Sequence, residues 1–329
     1  MRYKFLILQT AFLGDVVLAT ALAEKLHRVY PDAAIDFLLR RGNESLLEGH
    51  PFLRNVLIFD KRKKLGSMAG LIRHLRRERY DLLVNVQRFA SSGILAALSG
   101  AREIVGFDKN PFAFAFSRAY PHHIEASVHE TGRNLSLLQG WTDGENVPPR
   151  LYPPPEAYAG TPGGEYICVA PTSVWFTKQW PADKWAAFIQ SLPKNLTVAL
   201  LGGPSDYGAC AYIQERSGHP RVLNKAGALS LLESAAWMQG ARMNYANDSA
   251  PVHIASAVGA PITAIFCSTI PAFGFGPLSP VSRVVEVPEE LPCRPCGLHG
   301  FRACPRGDFR CAEIPVEHLL GDSPYWSNP

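Results

Sequence analysis

The stretch that decides the fold is Arg242 to Cys267, RMNYANDSAPVHIASAVGAPITAIFC. It reads as a strand, a tight loop, a short helix and a second strand in close succession. Asn247-Asp248-Ser249-Ala250-Pro251 sits where the first strand hands over to the helix. Ser249 suits an N-cap, and Pro251 suits the first helical turn, where its missing N–H would be unpaired anyway. Gly259 suits the end of the helix, and Pro261 opens an apolar, β-rich run from Ile262 to Phe266. A helix N-terminus at the carboxyl end of a parallel strand offers free N–H groups and the positive end of the helix dipole, a setting for an anion. Asp248 and His253 add polar chemistry there. The same pattern also fits an ordinary βαβ turn whose polar residues cap the helix, so the rest of the chain has to decide.

Working outward, the same grammar recurs on both sides. Lys4 to Gln9 is a continuous apolar run of the kind buried on both faces of a parallel sheet, followed by a helical stretch from Val16 with Leu18, Leu22 and Leu26 on one face. Further strands are expected at 34–39, 56–59 and 82–86, with helices near Ser45 and over 71–79. The segment from Val147 to Gly164, VPPRLYPPPEAYAGTPGG, holds six prolines and three glycines and is the best linker candidate. A second alternating set follows: strands at 166–170 and 196–201, helices at 183–191, 207–216 and 229–239. The fold class expected is α/β, with two Rossmann-like domains, 1–155 and 156–329, facing a central cleft at the carboxyl ends of their strands.

Composition narrows the class. A chain of 329 residues, 47% apolar and 19% charged, is long enough for two globular cores. The N-terminal MRYKFLILQTAFLGD is interrupted at Gln9-Thr10 and lacks a small-residue cleavage site. It reads as a first buried strand rather than a signal peptide, so a cytoplasmic protein is expected. Seven cysteines in a long chain argue against a secreted disulfide scaffold, and Cys168, Cys210 and Cys267 lie in or beside apolar runs as inert core thiols. The net charge is +4, but residues 61–79, KRKKLGSMAGLIRHLRRER, carry +7 by themselves, leaving −3 for the remainder. The basic character is a patch.

Three loops carry candidate chemistry. In Thr10-Ala11-Phe12-Leu13-Gly14-Asp15, Gly14 allows close approach of a ligand to the backbone, and Asp15 stands at the start of a helix. A carboxylate there also simply complements the helix dipole, and the same dipole weakens it as a base. In Ala170 to Pro181, APTSVWFTKQWP, the hydroxyls of Thr172 and Ser173 follow a strand and Lys178 precedes a helix. Hydroxyls, loop N–H groups and an ammonium are what a diphosphate needs. Trp175 and Trp180 read as packing residues. Leu201 to Asp206, LGGPSD, is a Gly-rich turn that suits a nucleotide loop or plain turn chemistry. No G-x-x-x-x-G-K-[ST] occurs, and no G-x-G-x-x-G follows the first strand, which excludes a P-loop NTPase and weakens a dinucleotide oxidoreductase.

Taken in order, FLGDVVLATAL, HETGRNLSLL (His129 to Leu138), FTKQWP, LLGGPSD, KAGALSLLE and NDSAPVH resemble the motifs of the glycosyltransferase family 9 heptosyltransferases, over nearly the whole chain. One departure is Ala250, where that family usually has glycine after Asp-Ser; its methyl narrows the expected sugar pocket. The resemblance implies a GT-B fold and an inverting, metal-independent transfer of heptose from ADP-heptose to a lipopolysaccharide inner-core acceptor, with no cofactor required. It implies Asp15 as base and Lys178 as partner of the leaving group. The expected donor residues are Thr172, Ser173, Lys178, Gly203, Asp206, Leu229, Asn247, Asp248, Ser249, Ala250 and His253. Asp248 is expected to face sugar hydroxyls or order its loop, because like charges keep it from phosphate. The expected acceptor residues are Gly14, Lys61, Arg62, Lys63, Lys64 and Arg88. Other readings of the same residues are a GT-B transferase for another nucleotide sugar, or a nucleotide-sugar-binding protein without turnover.

The basic run suits an anionic glycolipid acceptor or the inner membrane surface as a peripheral contact. No recognition motif or series of stacking aromatics accompanies it, so nucleic acid is not an expected partner. Near the C-terminus, Cys293-x₂-Cys296-x₇-Cys304-x₆-Cys311 fits a structural zinc site, inert thiols or a disulfide.

Overall fold

The structure, a computed structural model, describes residues 2–60, 62, 64–124 and 128–320. It divides into two compact units, Met1–Tyr152 and Pro153–Pro329.

The first unit carries β1 (Lys4–Leu8), α1 (Leu13–Val29), β2 (Ala34–Arg40), β3 (Leu53–Phe59), α2 (Lys64–Glu78), β4 (Leu82–Asn85), α3 (Ala90–Leu98), β5 (Glu103–Phe107), β6 (Arg118–Tyr120) and α4 (Glu130–Ser136). Its strands form one parallel sheet in the order β3-β2-β1-β4-β5-β6. The chain winds outward from β1 to β3, then returns to add β4 on the other side of β1. That reversal is a topological switch point between β1 and β4, the usual place for a binding crevice in sheets of this kind. Leu6, Leu8, Leu38, Leu83 and Leu95 are all fully buried in its core.

The second unit repeats this plan with β7 (Tyr166–Ala170), α5 (Ala182–Ser191), β8 (Thr197–Leu200), α6 (Tyr207–Ser217), β9 (Val222–Asn224), α7 (Leu231–Gly240), β10 (Met243–Asn247), α8 (Ala250–Ala257), β11 (Ile262–Phe266), β12 (Ser282–Glu286) and α9 (Glu317–Leu320). The parallel order is β12-β11-β10-β7-β8-β9, so the switch point lies between β7 and β10. The opening stretch of sequence is β10, α8 and β11. Gly259, at φ +67°, closes that helix from the left-handed region, which glycine enters without a Cβ penalty. Trp180 is a core residue: it packs edge-on against Trp185 at 5.1 Å, and its indole N–H donates to the Ile314 carbonyl at 3.2 Å. Cys168, Cys210 and Cys267 are fully buried; burial pushes all three thiols well above their usual range, as inert core thiols require. Among the described residues no helix is long and apolar enough to cross a membrane.

Three boundaries differ from the sequence reading. α1 begins at Leu13, not Val16, because the Asp15 carboxylate accepts the Phe12 N–H at 3.2 Å and so closes the first turn. β3 begins at Leu53: it is an edge strand with Arg54 and Asn55 exposed, so its start is polar. α2 begins at Lys64, not Leu71, and about 22 Å of helix separates its ends. The basic run is therefore two clusters. Arg62 and Lys64 lie at the carboxyl end of β3, on the side of the switch point. Arg73, Arg76, Arg77 and Arg79 join Arg2 and Lys4 around a cavity of about 820 Å³ at the amino ends of the strands.

The α1 face also buries a histidine. His50 stands 3.7 Å from Glu24, yet burial lowers His50 to about 4, helped by neighbouring His27, and burial raises Glu24. The pair is not an ion pair at neutral pH. Because His50 binds its proton less readily folded than unfolded, its contribution is fully present above about pH 6.5 and is lost as pH falls through about 4. The loss amounts to about 3 kcal/mol. A series of melting temperatures from pH 7 to pH 4 should fall less steeply for His50→Gln than for the unaltered protein. Parallel curves would refute the assignment.

Candidate functional site

In the first unit, the loops after β1 and β4 meet at the switch point. Gln9 bridges them: its side-chain oxygen accepts from the Ala11 N–H at 3.1 Å and from the Gln87 amide. Asn43 adds a bond to the Ala11 carbonyl at 3.3 Å. Gly14 and Asp15 thus sit in the first turn of α1 on a loop braced from two sides, and Asp15 is half-buried. The exposed rings of Phe12 and Phe89 flank this end, with the Arg40 and Arg88 guanidinium groups 5.0 and 5.8 Å from their centroids. Topology therefore brings Gly14, Asp15, Arg62, Lys64 and Arg88 to one end of one sheet. Lys61 and Lys63 lie outside the described residues. The His129 motif has a structural use: His129 caps α4 by accepting the Thr131 N–H at 3.2 Å, and Glu130 pairs with Arg133 at 2.8 Å. Burial alone would push Glu130 up, but His122 and Arg133 outweigh it and hold the carboxyl below the usual range.

The second unit assembles more of the expected residues. The loop after β7 carries Thr172, Ser173 and Lys178; the loop after β10 carries Asp248, Ser249 and Ala250. Asn247 joins them. It is fully buried, its amide NH₂ donates to the Pro171 carbonyl at 2.6 Å, and its oxygen accepts the Trp180 N–H at 3.0 Å. Its place is beneath the two loops, as their brace. Lys178 Nζ lies 2.6 Å from Asp248 Oδ2, with the lysine side chain 15% and the aspartate 5% exposed. A buried pair of this kind is held only if its remaining polar atoms are satisfied. The same Asp248 oxygen accepts from the Thr269 hydroxyl at 2.5 Å.

Ser249 occupies the N-cap position of α8, but its hydroxyl does not cap the helix. Its one proton is shared between the Thr172 carbonyl across the switch point (3.3 Å) and the Asn247 carbonyl of its own loop (3.2 Å). The N-terminal turn of α8 consequently faces the β7 loop without a side-chain cap, its polarity available to an anion. His253 is buried in α8 with Phe275 nearby. In the Gly-rich turn, Asp206 holds the Gly203 N–H at 2.7 Å, and a Cβ on Gly202 would stand 2.7 Å from that of Asp206. This is turn chemistry, knitted to the next loop by the Gly227 N–H on the Gly202 carbonyl at 2.9 Å. Leu229, half-buried, follows on the same side of the sheet.

The residues missed in the sequence are those behind this pair. Ser268 donates to Thr177 at 3.0 Å, the Phe301 N–H donates to Thr177 at 2.7 Å, and the Cys296 N–H donates to the Ser268 carbonyl at 2.8 Å. Gly300, at φ +74°, packs so closely that a Cβ would lie 2.9 Å from the Thr177 hydroxyl. A Ser-Thr pair directly after an apolar strand was a visible signal at 268–269, the same one that singled out Thr172 and Ser173.

Cys293, Cys296, Cys304 and Cys311 line one cavity of about 230 Å³ and are all free thiols. Burial raises Cys296 and pushes Cys311 up to about 12. Four thiols would suit zinc. Among the described residues, however, no three metal-ligating side chains come together to hold an ion, so the zinc reading finds no ligand set.

Two six-stranded parallel sheets, each with candidate loops at a switch point, are the plan of the GT-B fold. The family model for glycosyltransferase family 9 (heptosyltransferase) matches residues 68–298. The chain is 31% identical over 281 residues to lipopolysaccharide heptosyltransferase 3 of Escherichia coli, covering 78% of this chain and 82% of that protein. Among solved structures, the family 9 glycosyl transferase of Veillonella parvula DSM 2008 superposes with a TM-score of 0.81 at 20% identity, covering 97% of this chain and 95% of that one. E. coli heptosyltransferase WaaC, solved with ADP-2-deoxy-2-fluoro heptose, gives 0.71 at 20% identity, over 87% and 93%. The chain belongs to glycosyltransferase family 9, the heptosyltransferases. It is a glycosyltransferase enzyme, and the family's reaction is heptosyl transfer in lipopolysaccharide biosynthesis.

Proposed function

We propose that the protein transfers heptose from ADP-heptose to a lipopolysaccharide inner-core acceptor on the cytoplasmic face of the inner membrane, with inversion and without a metal. The observation that carries this reading is the Lys178–Asp248 pair at the β7/β10 switch point, on the two loops that also carry Thr172, Ser173 and the uncapped start of α8. These groups supply a cation, donors and a helix dipole to a diphosphate, while Asp248 accepts from sugar hydroxyls. Ala250 borders the sugar. Asn247 and Asp206 act by holding their loops. The E. coli relative solved with an ADP-heptose analogue supports the choice of nucleotide and sugar.

In the reaction, Asp15 takes the proton of the acceptor hydroxyl as its oxygen bonds the anomeric carbon. The bond from that carbon to the β-phosphate oxygen breaks, its electron pair leaves with ADP, and Lys178 meets the developing charge. One base on the acceptor side and a leaving group on the opposite face give inversion. Gly14, Arg62 and Arg88 meet the anionic acceptor, with Lys61, Lys63 and Lys64 in the same stretch of sequence. Acceptor binding should weaken severalfold between low and physiological ionic strength, since exposed charges are screened over about 8–10 Å. Binding insensitive to salt would remove these residues from the acceptor site.

Thermal-shift titration with ADP-, UDP- and GDP-sugars, with and without a chelator, tests the donor assignment. ADP-heptose should stabilise the protein most, and the chelator should not change the shift. Stronger stabilisation by a UDP- or GDP-sugar would favour another transferase of the same fold.

A further inference from the structure

We propose that Thr269 is a positioning residue of the donor site, held by Arg294, and that its hydroxyl lets Lys178 leave Asp248 for the departing diphosphate. This rests on the reading of Lys178 and Asp248 as the donor-site pair. Asp248 Oδ2 has two donors, Lys178 Nζ at 2.6 Å and Thr269 Oγ1 at 2.5 Å, in surroundings where Asp248 is 4% and Thr269 1% exposed. A carboxylate this buried cannot be left without any donor. When Lys178 turns toward a phosphate oxygen, the Thr269 hydroxyl remains on Asp248 and keeps it satisfied. Without that hydroxyl, Lys178 is the side-chain donor left on the carboxylate among the described residues, and it stays bound there.

Thr269 is itself fixed from behind. The Arg294 guanidinium, 13% exposed, donates to the carbonyls of Cys267 at 2.6 Å, Thr269 at 2.6 Å and Phe266 at 3.1 Å, and pairs with Glu286. The planar fork thus gathers three carbonyls at the end of β11, a geometry that a lysine cannot reproduce. The Cys296 N–H on the Ser268 carbonyl closes the remaining position. The Cys-rich segment therefore has a use apart from any metal: it sets the rotation of residues 266–269 and, through Thr269, the carboxylate that Lys178 must release.

The test is steady-state transfer by Thr269→Val, Thr269→Ser, Arg294→Gln and Lys178→Ala, with ADP affinity measured on each. Thr269→Val should lower kcat roughly tenfold while the donor KM changes less than threefold, and Thr269→Ser should recover most of the loss. Arg294→Gln should follow Thr269→Val. In an Asp248→Asn background the valine substitution should have no further effect, an outcome that simple loss of packing would not produce. A kcat within twofold of the unaltered enzyme for Thr269→Val, or equal losses for valine and serine, overturns the proposal. If Lys178→Ala also turns over normally, the donor-site reading fails with it; if only Lys178→Ala is impaired, this inference alone fails.

Discussion

Asp15→Ala is expected to keep its nucleotide affinity and lose transfer by a hundredfold or more, about the contribution of a general base. The geometry makes this a demanding test. Asp15 accepts the Phe12 N–H at 3.2 Å and closes the first turn of α1, which is the structural task that any N-terminal aspartate performs. Removing it therefore costs a cap as well as a base, on the order of 1 kcal/mol of stability. Asp15→Asn separates the two effects, since its side-chain oxygen still accepts the Phe12 N–H but its amide cannot take a proton. Both variants should fold and bind ADP, and both should fail in transfer. Asn at near-normal turnover would show that Asp15 is a helix cap and nothing more.

The second large effect falls on Lys178. Lys178→Ala should reduce transfer roughly a hundredfold to a thousandfold, the scale seen when a preorganised donor to a developing anion is removed. It also leaves Asp248 a buried carboxylate without its counter-charge, held by the Thr269 hydroxyl, and breaking such an ion pair costs about 3 kcal/mol. The double variant Lys178→Ala, Asp248→Asn removes the stranded charge and should regain most of the stability. It should not regain transfer. Recovery of both together would mean that the ion pair serves only the fold.

The parts of the molecule that were legible in the sequence are those set by short-range chemistry. Continuous apolar runs marked β1, β7 and β11, and the turn residues around Pro251 and Gly259 marked α8 and its end. The edge strands were less legible for a physical reason: β3 starts with exposed Arg54-Asn55 and β6 has three residues, so neither carries the apolar signature of a central strand. The site was half legible. Loop hydroxyls, Lys178 and Asp248 were visible as residue types, and the parallel order of the sheet brings them to one switch point. That Lys178 and Asp248 pair with each other, that the Ser249 hydroxyl crosses the switch point instead of capping, and that Arg294 reaches back to β11 are matters of tertiary placement. No local spacing encodes them. The basic run shows the opposite error: it looked like one patch because its charges are close in sequence, and a 15-residue helix carries its two halves to opposite ends of the sheet.

The most direct test of the central claim is mass spectrometry of a heptose-deficient lipopolysaccharide acceptor incubated with the purified protein and each nucleotide sugar in turn. The acceptor should gain one heptose with ADP-heptose, with and without a chelator, releasing one ADP per product formed. No mass gain with ADP-heptose, together with a gain from a UDP- or GDP-sugar, would contradict the account.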